Sequence, residues 1–311
     1  MRAVGITRFG GPEVLEAVEL PDPHPGEGEV RIRVAAGAVN PTDTGLRAGR
    51  RADALADIPP PHIPGMELAG VVDEVGPGAS WRPGDRVMAI VLPTRRAGGA
   101  QAELVVVPAD SVAPVPEGAS LEQAATLPMN GLTAQRALDL LALKKGQTIG
   151  VTGSAGAVGG YVIQLAVVEG LRIIGDAAPK DEALVKQLGA EVVVPRGEGS
   201  AEAIREASGG GVDGLVDAAL IGPKILPAIR DGGKLACVRP FGGESERGIE
   251  VLQVQVSEYA HNQAALERLG RLVGEGKLSL RVAGSFPPER AAEAHRQLEA
   301  GGTRGRLLIV F

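Results

Sequence analysis

The chain has 311 residues, enough for roughly two domains of ordinary size. Apolar residues make up 44% and aromatic ones only 2%, so the core is Ala, Val, Leu and Ile, and a pocket built on many stacked rings is not available. A net charge of −6 argues against a nucleic-acid or anionic-membrane surface, which needs clustered Lys and Arg; the run Arg47, Arg50, Arg51 reads as a solvated loop.

Up to about Pro116 the chain shows short β-rich runs separated by Pro and Gly: Ala3 to Thr7, Val30 to Ala38, Leu68 to Val75, Arg86 to Val91 and Ala102 to Val107. That spacing predicts an antiparallel, barrel-like domain. The connection from Asn40 to Pro64 is long and poorly periodic, as loops are that carry function or move. Ser120-Leu121-Glu122-Gln123 predicts a capping box, followed by helical spacing through Leu143 that Pro128 and Gly131 interrupt. Nothing at the amino terminus resembles an export signal, and no apolar run approaches the ~20 residues of a membrane helix, so a cytoplasmic protein is expected.

The stretch Thr148 to Gly159 then reads as a buried strand turning through glycines into a helix that continues to Glu169. Glycine allows backbone angles and close approaches that other residues forbid. Gly153-x-x-Gly156-x-x-Gly159, with Ser154, Ala155, Ala157 and Val158 between, can therefore seat a diphosphate on the amides of the helix start. Beyond that helix the pattern predicts a strand at Leu171 to Gly175, a helix at Asp181 to Leu188 closed by Gly189, and a strand at Glu191 to Val194. A helix from Ser200 to Ala207 and strands at Leu215 to Asp217 and Lys234 to Val238 come next. Such alternation predicts an α/β, doubly wound parallel sheet whose first turn holds a dinucleotide. Helices at Ala264 to Val273 and Pro288 to Glu299 and a strand at Leu307 to Phe311 complete the chain. Cys237, the single cysteine, falls in a predicted strand and reads as a buried structural thiol.

Several stretches together resemble the medium-chain dehydrogenase/reductase superfamily, and within it the zinc-independent quinone oxidoreductase (zeta-crystallin-like) family. They are Val39-Asn40-Pro41-Thr42-Asp43, Ile63 to Val72, Pro83 to Val87, Ala124 to Ala134, the glycine turn, and Gly305-Arg306. The resemblance implies a GroES-like β-barrel substrate domain, residues 1–122 and 279–311, plus a Rossmann domain, residues 123–278, with the active site in the cleft between. Zinc-dependent members of that superfamily carry a cysteine and a His-Glu pair where this chain has Asn40-Pro41 and Met66-Glu67, so no metal is expected. The four histidines, His24, His62, His261 and His295, sit apart with no ligand spacing.

By the same resemblance the reaction is hydride transfer from a nicotinamide coenzyme to a small electrophile, a quinone or similar activated carbonyl, mainly by orientation in a dry cleft. Asn40 is implied to bond substrate or nicotinamide, with Asn130 and Thr133 near the nicotinamide ribose; the plain alternative for Asn40 is a turn residue before proline. Asp43 is read as the cap of a short helix. The tyrosine often found two positions after the aspartate of Asn-Pro-x-Asp is here Gly45, and the two tyrosines, Tyr161 and Tyr259, lie outside the substrate loop. The alternatives are an enone or 2-alkenal double-bond reductase and a non-catalytic NADPH-binding sensor or stress protein. Beside NAD-using relatives, the ribose-binding acid falls at Ala177, with Asp176 one place early and pointing to the other face of the strand. Ala178 and Lys180 lie where NADPH-using relatives bind the 2′-phosphate, and Arg304 or Arg306 adds positive charge; NADPH is expected, with NADH as the alternative. A homodimer is expected from the same relatives.

Overall fold

β-branched runs need partners for their backbone amides, and the computed structural model, which describes residues Met1–Phe311, shows how they find them. β1 (Arg2–Ile6) pairs with β2 (Leu15–Glu19) antiparallel. β3 (Glu29–Val39) is the hub of a seven-stranded sheet with β4 (Glu67–Val75), β5 (Arg86–Ile90), β6 (Leu104–Pro108) and β7 (Val112–Pro114). Alternate residues of β3, Val30, Ile32 and Val34, turn inward onto Leu68, Val72, Val87, Ala89, Val105 and Val107. Each such side chain is worth roughly 1.5–3 kcal/mol relative to exposure.

The connection after β3 opens with a short helix, α1 (Pro41–Arg47), whose first position tolerates proline because no helical bond is asked of that nitrogen. α2 (Leu121–Ala124) starts with the predicted capping box: Gln123 N–H donates to Ser120 Oγ at 3.1 Å, and Ser120 N–H to Gln123 Oε1 at 3.0 Å. Where the sequence suggests an interruption, α3 (Pro128–Leu141) begins at the proline and runs through Gly131. One glycine costs a helix only about 1 kcal/mol against alanine, too little to break fourteen residues.

The second unit carries β8 (Thr148–Thr152), α4 (Ala157–Val168), β9 (Arg172–Ala177), α5 (Glu182–Gln187), β10 (Val192–Pro195), α6 (Ser200–Ser208), β11 (Val212–Asp217), β12 (Ile229–Cys237) and β13 (Glu250–Gln253). All neighbours are parallel, in the order β10-β9-β8-β11-β12-β13. This is the 3-2-1-4-5-6 order of a doubly wound sheet, and it reverses between β8 and β11, where such sheets bind ligands. β13, which the residue pattern does not predict, is a short edge strand with no fully buried residue.

The chain then returns to the first unit with α7 (Gln263–Gly274), β14 (Val282–Phe286), α8 (Ala291–Glu299) and β15 (Arg306–Val310). β15 pairs antiparallel with β3. The two compact units are residues 1–129 with 257–311, and residues 130–256. The first border lies seven residues beyond the 122/123 expected, and the second falls before 278/279 because α7 stacks on β7, with Gly270 close to the Met88 methyl.

α8 buries a histidine. His295 Nδ1 lies 3.1 Å from Arg47 Nη1, and Arg47 Nη2 donates to Glu299 Oε1 at 2.6 Å. Burial, helped by the Arg47 charge, pushes the His295 imidazole down to about 3. An unfolded histidine binds its proton near pH 6.5, so between pH 6.5 and 3 the unfolded chain holds the extra proton and folding stability is lost as pH falls. From pH 7 to 5 the loss attributable to His295 is expected to be about 2 kcal/mol. Urea melts of wild type and His295→Gln at the two pH values check it; equal losses in both would contradict it.

Candidate active site

In the first unit three polar side chains are completely buried near the start of α1 and β4: Asn40, Asp43 and Glu67. Asn40 N–H donates to Asp43 Oδ2 at 2.8 Å and Gly65 N–H to Asp43 Oδ1 at 3.0 Å, so Asp43 closes the first turn of α1 and pins the Pro64-Gly65 loop to it. Burial lifts the Asp43 carboxyl to about 7 despite those two amides, with Glu67 pushing the same way and the charge of Arg306 opposing. Glu67 holds Asn40 by its side chain: Asn40 Nδ2 donates to Glu67 Oε1 at 3.1 Å, while Met129 N–H donates to Glu67 Oε2 at 2.8 Å. A bridging carboxylate of this kind fixes the plane of the Asn40 amide. In the sequence Glu67 belongs to a family motif without a role of its own; a glutamate opening a strand of otherwise apolar residues is the signal that could have marked it.

In the second unit the glycine turn takes the expected form. β8 ends at Thr152, Gly153 adopts φ +65°, and Gly156 caps α4, its N–H donating to Gly153 O at 2.8 Å. Only a glycine fits at 159, where an added Cβ would lie 2.4 Å from Gly153 O. The amides of Ala157, Val158 and Gly159 open the helix and have no intrahelical carbonyl to bond, so the turn offers donors and a positive dipole end to an anion.

Asp176, near the end of β9, reaches back to this turn. Ser154 N–H donates to Asp176 Oδ1 at 3.1 Å, Asp176 N–H donates to Ser154 Oγ at 3.0 Å, and Ser154 Oγ–H donates to Val151 O at 2.8 Å. Burial raises the Asp176 carboxyl above its usual range, against the Ser154 amide and the charge of Arg196. Ala178 and Lys180 follow on the same loop, with Lys180 exposed, and Arg196, also exposed, hangs its N–H on Ala177 O at 3.1 Å. Arg306 lies on β15 of the first unit, buried, its charge acting on Asp43. Asn130 and Thr133 lie three residues apart on one face of α3, both buried. Cys237 is buried in β12 with its thiol pushed up to about 11 by burial and the Asp217 charge, which makes it an inert packing residue.

Residues 26–117 match the alcohol dehydrogenase GroES-like domain, and residues 188–309 match the zinc-binding dehydrogenase domain. The human quinone oxidoreductase is 31% identical over 334 aligned positions, spanning 100% of this chain and 98% of that protein. The chain belongs to the quinone oxidoreductase family of the medium-chain dehydrogenase/reductase superfamily. It is an oxidoreductase of that superfamily, and two solved members carry the likeness into three dimensions. An NAD-dependent alcohol dehydrogenase superposes with a TM-score of 0.88 at 32% identity, covering 100% of both chains. A mycobacterial protein complexed with NADPH superposes with a TM-score of 0.88 at 30% identity, again covering 100% of both. No group of three or more His, Cys, Asp or Glu side chains in this family member is arranged to hold a metal ion, and no helix is long and apolar enough to cross a membrane.

Proposed function

We propose that the protein is a zinc-independent, NADPH-dependent reductase that delivers hydride to a quinone or similar activated carbonyl of a small electrophile, acting as a homodimer. The observation that carries the reading is the glycine turn: a Cβ at Gly153 or Gly159 would press on backbone at 3.1 and 2.4 Å, so only glycines let the strand turn this tightly into α4 and open its amides to a diphosphate. Gly153, Ser154, Ala155, Gly156, Ala157, Val158 and Gly159 hold the diphosphate in this reading.

NADPH is favoured over NADH because Asp176, the acid nearest the ribose-binding position, is buried and bonded to Ser154, while the cations Lys180 and Arg196 stand exposed beside it. The relatives include both coenzyme types by name, so the choice rests on these side chains. Zinc chemistry is disfavoured by the donor set: the only thiol is locked in β12, and Asn40 and Met66 are weak ligands for a borderline-soft ion. Bound NADPH supplies a hydride, and the acceptor takes up a solvent proton to complete its two-electron reduction. Asn40, clamped by Glu67, presents its amide to the acceptor or the nicotinamide, and Asn130 and Thr133 flank the ribose.

Initial rates with NADPH and with NADH, each against 1,4-benzoquinone and a panel of enones, test the reading. At least a tenfold higher kcat/KM with NADPH and turnover of the quinone are expected. An NADH preference would overturn the coenzyme assignment, and turnover of enones alone would make the protein a double-bond reductase.

A further inference from the structure

A cavity of about 270 Å³ opens in the first unit, and none of Asn40, Asp43, Glu67, Asn130 or Thr133 lines it. Three connections wall it: Leu20 to Pro23 after β2, Ile58 to Ile63 before β4, and Pro93 to Gly98 after β5. Backbone bonds fasten each of them to the end of β1 or to its neighbour. Leu20 N–H donates to Met1 O at 2.9 Å, Ile6 N–H to His62 O at 2.9 Å, His62 N–H to Ile6 O at 3.0 Å, and Gly99 N–H to Ile63 O at 2.9 Å. Pro21, Pro59, Pro61 and Pro93 line the walls with φ already fixed, so the cavity stands formed and loses little freedom when something enters it.

The charged side chains of the lining are Arg95 and Arg96, and no Asp or Glu takes part. The amine of Met1, which also lines it, is occupied by Leu20 O at 2.6 Å and by Asp22 Oδ1 at 2.9 Å. Neither arginine has a carboxylate partner, whereas Arg2, Arg31, Arg33, Arg47 and Arg290 of the same unit all have one. Arg95 donates through Nε and Nη2 to the carbonyls of Gly98 and Val106, which hold the guanidinium in place and leave Nη1 unbonded. Burial pulls Arg95 down to about 10, with the Glu29 charge opposing. A cation withdrawn from water with no anion beside it is unfavourable, and a bound anion relieves it. His62 adds an unsatisfied group: it is 9% exposed, its ring stacks on Phe9 with centroids 5.7 Å apart, and its Nδ1 is buried with no hydrogen-bond partner.

The rest of the lining is apolar, from Leu20, Ile58, Ile63 and the prolines. An inorganic anion would leave those walls in water, and a hydrocarbon would leave the arginines unpaired. The volume equals about nine waters at ~30 Å³ each, room for a body of about six carbons and one planar anionic group.

We propose that this cavity binds a small organic carboxylate, its apolar body against Leu20, Ile58 and the prolines and its carboxylate on Arg95 and Arg96. The proposal does not depend on the coenzyme reading. Titration calorimetry of the whole chain with benzoate, with its neutral counterpart benzamide and with inorganic phosphate tests it. Saturable benzoate binding with Kd of about 1 mM or tighter is expected, and at least tenfold weaker binding of the other two. Arg95→Gln removes the fixed guanidinium and is expected to weaken benzoate about tenfold or more. Because that substitution also removes two bonds to carbonyls, Arg96→Glu is measured beside it. Arg96 is exposed and makes no ion pair, so its reversal should leave Tm within about 1 °C while weakening benzoate at least fivefold. No saturable binding of benzoate up to about 10 mM, equal binding of benzamide or phosphate, or undiminished benzoate affinity in Arg96→Glu would each overturn the proposal.

Discussion

Gly159→Val is expected to lower coenzyme affinity by about a hundredfold or more and to destabilise the protein by about 1–3 kcal/mol. The first atom any other residue adds at this position would lie 2.4 Å from Gly153 O and 2.8 Å from Gly153 C, distances that real side chains do not tolerate. The helix start cannot yield alone, because Gly156 N–H is bonded to Gly153 O and the turn is braced through Ser154 by Asp176. The turn must open, and the amides of Ala157 and Val158 lose their common aim. Anion binding at a helix start depends on several donors converging on one group, so the loss of aim weighs more than the loss of packing. Thermal melting and coenzyme titration measure the two effects separately. Undiminished affinity would show that the diphosphate rests somewhere else.

Glu67→Gln is the second large effect. Both oxygens of Glu67 are engaged, one by Asn40 Nδ2 and one by the Met129 amide, and no part of the residue is exposed. A glutamine offers one acceptor and one donor in their place, so either Asn40 or Met129 meets a donor and one buried hydrogen bond is lost, at about 1–3 kcal/mol. Asn40 can answer by turning its amide over, which exchanges its oxygen and nitrogen. A reacting group displaced by about 1 Å or rotated loses on the order of a hundredfold in rate. The expected outcome is a kcat lower by about that factor with a much smaller change in coenzyme Kd, since one bond of Asn40 is altered while the glycine turn is left intact. Steady-state kinetics beside a coenzyme titration decide it; an unaltered kcat would show that Asn40 is not positioned through Glu67.

What the sequence made legible is what local chemistry dictates. Strands β3, β4 and β8 follow from β-branched runs whose alternation or burial has one solution, and the capping box before α2 needs only four consecutive residues. The glycine turn is legible because a tight strand-to-helix turn with close backbone approach calls for glycines at fixed spacing. β2 escapes the pattern because Leu15-Glu16-Ala17-Val18-Glu19 is largely solvent-facing and acidic, whereas the short helix α1 is legible only through Asp43 as its cap, its Pro41 and Gly45 hiding any periodicity.

The site shows the same division. Asn40 stands out as part of a family pattern, but its hold on Glu67 joins residues 27 positions apart and has no local signature. The backbone of Leu220, outside that site, is the extreme case. Nothing in the run Ala218-Ala219-Leu220-Ile221 marks a left-handed backbone, which comes from Thr152 and Asp217, themselves 65 positions apart. Asp176 lies between: strand alternation alone sets it apart from Ala177, and the structure shows it bonded to Ser154.

The most direct test of the account is a titration of the purified protein with NADPH, followed by the fluorescence of the reduced nicotinamide, in wild type and in Gly159→Val. Saturable binding at one coenzyme per chain in the wild type, at least tenfold tighter than for NADH and abolished by the valine, is the expected result. Failure of either coenzyme to bind, or equal binding by wild type and Gly159→Val, would contradict it.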